Sequence, residues 1–409
     1  MSKRFGLIGE KLSHSFSVQI HSLLGDYEYK LYEIKREEIK DFFENSGLDG
    51  FNVTIPYKQD VIPFCDEISD RARRIGSVNT VIKRENGSYF GDNTDYFGFS
   101  SLLGEVKNPG KALILGSGGS AKTVRAVLED KGFDPIITVS RSGADNYSNI
   151  SKHYDAKLIV NTTPVGMYPH NGEAPLSLEG FESLNLVIDL IYNPSCTALV
   201  LDAMRRGIEA RGGLLMLAAQ GKMASELFLG IKIDDIRSLE ICDALKREMK
   251  NIVLIGMPGS GKSSIGRALA EKCNREFFDA DDVFYEKHGI SAGEYIKKEG
   301  EAAFRLAESE ILRELCKKSG CVIATGGGAV TVDENYDVMR QNATVVFIDR
   351  DISELESRGR PLSEALGVEK LYNERIDKYI SFSEHRFKVR GIMETAEDIY
   401  NALILRRLS

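Results

Sequence analysis

Several features that point to other classes of protein are scarce in this sequence. The six cysteines form no CxxC pair and follow no repeating spacing. Because metal sites and disulfide frameworks need such spacing, we expect reduced, structural thiols in a reducing compartment. The net charge of −8 argues against a general nucleic-acid binder, since such proteins usually carry a basic face.

Long hydrophobic runs are also missing. The most apolar stretch between glycines, residues 213–221, is far shorter than the ~18 residues that a membrane helix needs. The N-terminal residues turn polar after a few apolar positions, so we expect no secretory signal. No fixed-period repeat indicates a solenoid. We expect a cytoplasmic protein without membrane or nucleic-acid partners, and no residue pattern indicates its oligomeric state.

Short apolar runs rich in β-branched residues alternate with helical patterns along all 409 residues. Because the runs are continuously apolar, we expect strands covered on both faces, in mostly parallel sheets with crossover helices. The length exceeds one ordinary core, so an α/β fold of two or three domains is predicted. The runs lie at residues 112–115, 136–139, 158–160, 186–190, 252–255, 322–324 and 344–348.

Two of these strands run directly into a glycine-rich turn and a helical pattern. The first turn consists of Gly116, Ser117, Gly118, Gly119, Ser120 and Ala121. The second contains Gly256, Pro258, Gly259, Ser260, Gly261, Lys262, Ser263 and Ser264. Two phosphate cradles predict two nucleotide-binding domains. Between them, Ile236, Leu239 and Leu245 have roughly helical spacing and predict a helix, within residues 231–248, that closes the first domain.

The first turn suits a dinucleotide. N–H groups and the dipole at the start of a helix can hold a pyrophosphate. The next strand ends in Ser140, Arg141 and Ser142, where an NAD site would place an acidic residue. An arginine between two hydroxyls suits a 2′-phosphate and therefore NADP; the alternative is a solvated loop arginine.

The N-terminal third contributes polar groups from separate motifs. Taken singly, each is typical of a polar loop, but together they can hydrogen-bond a polyhydroxylated ring and manage one proton. These groups are Ser13, Ser15, Thr54, Lys58, Asn79 and Asp95.

Residues 1–247 resemble shikimate dehydrogenase through SHS, NVTIPYK, SVNT, GDNTD, GSGGSA, NTTPVGM and GGLLMLAAQG, in that order. The resemblance implies an α/β substrate-binding part (1–97 and 214–247), a Rossmann-like NADP-binding part (98–213), and Lys58 and Asp95 as the catalytic pair. It further implies shikimate binding by Ser13, Ser15, Thr54, Asn79, Tyr192 and Gln220. Leu190, Gly213 and Met216 then join residues 116–121 and 140–142 around the cofactor. A second basic residue usual in the family is missing from residues 143–146, so we expect a less strict preference for NADP.

The second turn satisfies the Walker A pattern. Its N–H groups wrap a β-phosphate, Lys262 reaches the β- and γ-oxygens, and the Ser263 hydroxyl binds Mg²⁺. Asp279 and Asp281 are predicted to end a strand facing the same way, one serving the metal and one the acceptor. The bare turn of Gly326, Gly327 and Gly328 favours close approach of a ligand. Arg305, Arg360 and Arg375 add cations, for each of which the alternative is a surface ion pair.

Residues 250–409 resemble shikimate kinase through GMPGSGKSS, FFDADDV, GEAAFRLAE, GGGAV, RPL and ERIDKY. The resemblance implies a P-loop domain with a parallel sheet, similar to nucleoside monophosphate kinases. It implies that Asp281, Arg305, Arg375 and the backbone of residues 326–328 hold shikimate. Asp279 would bind Mg²⁺ through water, and Arg360 would close over ATP from a lid that is shorter here than is usual.

The combined interpretation is a bifunctional enzyme of small-molecule substrates. It predicts NADPH-dependent reduction of 3-dehydroshikimate to shikimate, then phosphorylation by Mg-ATP to shikimate 3-phosphate. One alternative is an NAD-using quinate/shikimate dehydrogenase joined to the same kinase; Ser15 disfavours it, because a bulkier threonine would suit quinate. The other is a regulator that binds shikimate and nucleotide without turnover, which the joint presence of Lys58, Asp95 and Lys262 disfavours.

Overall fold

The computed structural model describes residues 3–12, 15–355 and 367–405. The chain divides into two compact units. The first comprises Met1–Val165, Pro175–Tyr192 and Asp202–Ala244, and the second Gly166–Ala174, Asn193–Leu201 and Leu245–Ser409. No helix in the described residues has both the length and the apolar character required to cross a membrane.

The first unit begins with a mixed sheet of order β2-β1-β3-β5-β6-β4. Its strands are β1 (Arg4–Gly9), β2 (Glu28–Glu33), β3 (Gly50–Val53), β4 (Glu67–Ile68), β5 (Thr80–Lys83) and β6 (Tyr89–Asp92). The helices in this region are α1 (Ser17–Ser22), α2 (Ile39–Asn45), α3 (Asp70–Ile75) and α4 (Asp95–Leu103). Strand β5 runs antiparallel to both β3 and β6. The end of β3, the start of β5 and the end of β6 therefore share one edge of the sheet.

A parallel sheet of order β11-β10-β9-β7-β8 follows. Its strands are β7 (Ala112–Leu115), β8 (Ile136–Val139), β9 (Leu158–Asn161), β10 (Leu186–Asp189) and β11 (Glu209–Gly212). The helices over this stretch of sequence are α5 (Gly119–Asp130), α6 (Ala198–Arg205), α7 (Leu214–Leu229) and α8 (Ile236–Met249). Strands β7, β9 and β10 are buried throughout, as their continuous apolar runs predict.

The second unit contains a parallel sheet of order β13-β14-β12-β15-β16. Its strands are β12 (Asn251–Ile255), β13 (Phe277–Asp279), β14 (Val322–Ala324), β15 (Ala343–Asp349) and β16 (His385–Lys388). Its helices are α9 (Lys262–Cys273), α10 (Ala280–His288), α11 (Ala292–Glu299), α12 (Glu301–Cys316), α13 (Glu334–Arg340), α14 (Val368–Phe382) and α15 (Ile392–Leu403). Val253 and Val345 enter one core cluster, whereas Leu254 and Val346 enter another. Each core covers one face of the sheet, because side chains alternate along a strand.

Short 3₁₀ segments complete the secondary structure at Arg36–Glu38, Ile62–Phe64, Tyr147–His153, Ala329–Thr331 and Ile352–Glu354. The predicted α/β class and parallel sheets are confirmed, and each predicted strand corresponds to an observed one, with residue 190 just past the end of β10. The helix predicted within residues 231–248 is present as α8, although two of the three residues whose spacing predicted it are exposed. Ile236 and Leu239 are 58% and 52% exposed, whereas Ile241, Leu245 and Met249 are buried.

Candidate active sites

A cavity of about 550 Å³ in the first unit gathers groups that are far apart in the sequence. Asn52 of β3 is paired with Thr80 of β5, which is paired with Asp92 of β6, so the residues next to these strand ends meet. The polar side chains on the cavity wall are Lys11, Ser15, Ser17, Asn52, Thr54, Lys58, Asn79, Asp95, Ser120, Tyr192 and Gln220. Leu190, Gly213 and Met216 contribute to the same wall.

An ion pair lies on the wall of this cavity. Lys58 Nζ donates to Asp95 Oδ2 at 2.6 Å, and the two side chains are 26% and 15% exposed. Asp95 is the first residue of α4, where the helix dipole favours a carboxylate. The lysine is therefore held against a carboxylate in a partly buried position.

Neighbouring amides are oriented by a small hydrogen-bond network. Asn79 Oδ1 accepts from the backbone N–H of Thr94 at 2.6 Å, which leaves its Nδ2 as the donor for the cavity. Thr94 Oγ1 donates to Gln220 Oε1 at 3.5 Å, and Gln220 Nε2 donates to the carbonyl of Leu217. Ser15 Oγ donates to Ser17 Oγ at 3.1 Å. Hydroxyls, amides and the ammonium groups of Lys11 and Lys58 thus line the same space.

The residues predicted to bind a dinucleotide lie along the carboxyl edge of the second sheet. Residues 117–120 are exposed, and nothing lies within 4 Å of the Cβ positions that Gly118 and Gly119 would have. Arg141 is exposed and makes no hydrogen bond or ion pair to another described residue. A Cβ on Gly213 would stand 2.0 Å from the carbonyl oxygen of Leu190, so a side chain is excluded there. These features fit a dinucleotide on the start of α5.

A second cavity, of about 540 Å³, opens over the glycine-rich turn of the second unit. Predicted residues on its wall are Pro258, Gly259, Gly261, Lys262, Ser263, Ser264, Asp281, Arg305, Gly326, Gly327, Gly328 and Arg375. The residues that follow β12, β13 and β14 meet because these strands are parallel, so their carboxyl ends share one edge. Arg305 and Arg375 reach the cavity from the helices α12 and α14.

The turn has the geometry of a phosphate cradle. Gly259 and Gly261 have φ of +82° and +94°, a region that favours glycine. Lys262 Nζ donates to the carbonyls of Gly256 and Met257, both at 3.0 Å, and is buried. The Ser260 hydroxyl is buried without a hydrogen-bond partner among the described residues. Ser263 lies exposed at the start of α9.

Two acidic residues lie at one end of this cavity, Asp281 on its wall and Asp279 behind it, although not as predicted. β13 ends at Asp279, and Asp281 lies in the first turn of α10, so the prediction that both end a strand was wrong. The reason is a helix cap, in which Asp279 Oδ1 accepts from the backbone N–H of Asp281 at 3.0 Å. Burial, with the carboxylates of Asp279 and Glu308, raises the pKa of Asp281 to about 6.

The acidic residues fit a magnesium site. No group of three or more His, Cys, Asp or Glu side chains in the described residues could hold a metal ion by itself. Mg²⁺ is usually held by one or two carboxylates together with waters and substrate phosphates, so a full protein cage is not needed. The crowded carboxylates of Asp279 and Asp281 would be relieved by a cation.

Two arginines also lie on the wall of this cavity. Arg305 pairs with Glu308 at 2.7 Å and with Glu301 at 3.1 Å. Arg375 donates to the carbonyl of Gly327 at 3.0 Å and is buried. A Cβ on Gly328 would stand 2.2 Å from the guanidinium of Arg305. The absence of a side chain at residue 328 therefore allows Arg305 to pack directly against the backbone of this turn.

Comparison with known proteins identifies both halves. A family profile for the shikimate dehydrogenase substrate binding domain matches residues 7–81. The NADP-dependent shikimate dehydrogenase of Clostridium beijerinckii is 36% identical over 268 residues, covering 60% of this chain and 99% of the relative. The chain belongs to the shikimate dehydrogenase family. A shikimate kinase profile matches residues 258–402, so a shikimate kinase domain follows.

Solved structures support the same assignment for the dehydrogenase part. A chorismate mutase/shikimate 5-dehydrogenase fusion protein from Clostridium acetobutylicum is 37% identical, covers 60% of this chain and 97% of its own, and has a TM-score of 0.57. The shikimate 5-dehydrogenase of Thermus thermophilus, solved with NADP(H) and shikimate, is 30% identical, covers 59% and 98%, and has a TM-score of 0.53. The chain is a bifunctional enzyme of the shikimate pathway, and the quinate and regulator alternatives are not favoured.

The predicted residues are distributed unevenly over the two cavities. In the dehydrogenase part Gly116, Ser117, Gly118, Gly119, Ala121, Ser140, Arg141 and Ser142 lie outside the cavity wall, along the sheet edge. In the kinase part Gly256, Ser260 and Asp279 lie behind the wall. Ser13 and Arg360 lie outside the described residues.

The sequence prediction omitted seven polar wall residues, namely Lys11, Ser17, Asn52, Glu308, Thr325, Arg350 and Glu354. Ser17 follows Ser15 by two residues and continues its row of hydroxyls. Glu308 lies one helical turn after Arg305, and that spacing was the available signal. Arg350 directly follows β15, and no motif identified it.

Proposed function

We propose that Lys58 and Asp95 carry the proton step of the dehydrogenase part. When bound, NADPH supplies the hydride that reduces the C3 carbonyl of 3-dehydroshikimate. Lys58 donates a proton to the developing alkoxide oxygen, and takes one back in the oxidative direction. Asp95 holds the ammonium in place. The observation that carries this proposal is the 2.6 Å pair on the wall of a cavity lined with hydroxyls and amides.

The polar wall of the same cavity binds the ring. Shikimate and 3-dehydroshikimate are polyhydroxylated carboxylates, so they need several donors in fixed positions. Hydroxyl, phenol and amide groups supply these donors, and the omitted Ser17 joins them. The binding residues are Ser15, Ser17, Thr54, Asn79, Tyr192 and Gln220.

The NADP-binding residues lie on the second sheet. The start of α5 holds the pyrophosphate, with residues 116–121 as its cradle. Leu190, Gly213 and Met216 border the nicotinamide end, where they share the cavity with Lys58. Arg141, between Ser140 and Ser142, reaches the 2′-phosphate.

Arg141→Ala is expected to raise the KM for NADPH far more than the KM for NADH. The loss is about 1–3 kcal/mol, because a charge-assisted contact to the 2′-phosphate disappears. Initial rates with both cofactors measure the effect. The wild type should also show NADH activity, since residues 143–146 lack a second basic group. Lys122→Ala, which removes an exposed lysine of α5, is the control and should not change the preference between the two cofactors. Equal losses with NADPH and NADH after Arg141→Ala would reject the assignment of Arg141 to the 2′-phosphate.

In the kinase part, ATP and shikimate meet over the glycine-rich turn. N–H groups of residues 259–264 and Lys262 bind the phosphates. Ser263 and Asp279 would hold Mg²⁺, which when bound would neutralise part of the phosphate charge. Asp281 accepts the hydrogen bond of the attacking hydroxyl and takes its proton. Its raised pKa, about 6, suits a proton acceptor near neutral pH. Arg305 and Arg375 grip the shikimate carboxylate, because a guanidinium pairs with a carboxylate through two parallel bonds.

The two reactions form a sequence, since the product of the first is the substrate of the second. We expect the enzyme to convert 3-dehydroshikimate, NADPH and Mg-ATP into shikimate 3-phosphate, measured by mass spectrometry together with NADPH oxidation. Leaving out ATP should stop the reaction at shikimate. Leaving out NADPH should block it until shikimate is added. Product formation without either nucleotide, or none with both present, would contradict the proposal.

A further inference from the structure

One cation in the kinase cavity has no role so far. Arg350 comes immediately after β15, which pairs in parallel with β12, the strand that leads into the glycine-rich turn. Its side chain lines the cavity beside Gly261, Lys262 and Ser263. Its Nη1 atom lies 3.9 Å from the position that a Cβ on Gly261 would take. The guanidinium therefore stands over the turn itself, on the side of the phosphate cradle.

Only one of the nitrogen atoms of this guanidinium donates a hydrogen bond to another described residue. Arg350 Nε donates to Glu354 Oε2 at 3.1 Å, and the two side chains are 33% and 58% exposed. Exposed pairs of this kind are weak. Among the described residues, no other group accepts a hydrogen bond from Arg350, so its two terminal nitrogens are available.

The other two arginines on the cavity wall donate to groups outside the glycine-rich turn of residues 256–264. Arg305 is held by two glutamates, and Arg375 donates to a carbonyl at the turn of residues 326–328. Lys262 is the cation of the turn itself, and its ammonium donates to carbonyls of that turn. Arg350 is thus the described arginine that faces the nucleotide side of this cavity with free donors.

We propose that Arg350 binds the phosphate chain of the nucleotide, on the side of the cradle opposite to the acceptor. The inference rests on the proposed kinase function and adds a binding residue to that site. A planar guanidinium offers two parallel donors to a phosphate and keeps its charge at any working pH. Glu354 holds the side chain near its working position until a phosphate, with its greater charge, takes its place.

Calorimetric titration tests the proposal with ADP, adenosine and shikimate as separate probes. Arg350→Ala should weaken ADP binding by about 10- to 100-fold, the usual loss for a hydrogen bond to a charged group, with adenosine and shikimate unchanged. Arg350→Lys should restore part of the affinity, since it retains the charge but not the fork. Arg390→Ala is the matched control, because this exposed arginine also pairs with one acidic residue, Asp398, and lies outside the cavity.

Glu354→Gln supplies a test of opposite sign. Removing the competing carboxylate should tighten ADP binding by a few-fold, and the effect should vanish in the double variant with Arg350→Ala. If Arg350→Ala weakens adenosine as much as ADP, the residue contacts the base through stacking and the proposal is wrong. Unchanged ADP binding in Arg350→Ala, while the wild type binds ADP, would overturn the inference alone. A wild type that binds no ADP would instead overturn the proposed kinase function.

Discussion

Lys58→Ala should lower the rate of 3-dehydroshikimate reduction by about 100-fold or more, because the proton donor for the developing alkoxide is lost. The lysine is held 2.6 Å from Asp95 on the cavity wall and is not one of the residues proposed to bind the dinucleotide. The KM for NADPH should therefore change little. Initial-rate kinetics with both substrates varied will separate the two constants.

The same preparation carries its own control, since shikimate phosphorylation should be unaffected by Lys58→Ala. Lys40→Ala removes an exposed lysine of α2, also paired with an acidic residue, and should leave both activities intact. Asp95→Asn should give a smaller loss than Lys58→Ala if its task is to hold the ammonium. A kcat within a few-fold of wild type in Lys58→Ala would show that another group transfers the proton.

Lys262→Ala should abolish phosphorylation of shikimate, with a loss on the order of 10³-fold, and leave the dehydrogenase rate unchanged. The ammonium lies buried in the turn and is the nearest cation to the transferring phosphoryl group in the proposed complex. A phosphoryl-transfer assay started with shikimate measures the loss without involving the first reaction.

Arg305→Lys provides the contrast within the same cavity. It preserves charge but removes the two-pronged geometry, so it should raise the KM for shikimate while ADP affinity stays near the wild-type value. Calorimetric titrations with ADP and with shikimate distinguish these effects. If Arg305→Lys weakened ADP and left shikimate affinity unchanged, the acceptor site would be assigned wrongly and the phosphoryl acceptor would have to be sought again.

Much of the site could be predicted because its chemistry is encoded locally. The Walker A turn places backbone N–H groups, Lys262 and Ser263 within one short segment, so its geometry follows from neighbouring residues. Continuous apolar runs likewise predicted buried parallel strands. Site residues that belong to no local sequence pattern could not be predicted in this way. Arg350 belongs to no motif, and only the pairing of β15 with β12 brings it to the turn.

The sequence by itself determined two nucleotide-binding domains, the order of the motifs that resemble the two families, and the residue types available for each reaction. Tertiary structure decided which of these groups meet. Lys58 and Asp95 come together because β3, β5 and β6 alternate in direction, so segments 37 residues apart share one sheet edge. It also decided burial: Ile236 and Leu239 have helical spacing, yet they face solvent while Leu245 is buried. Helical spacing shows which residues share one face of a helix, but only packing against the rest of the protein decides which face is buried.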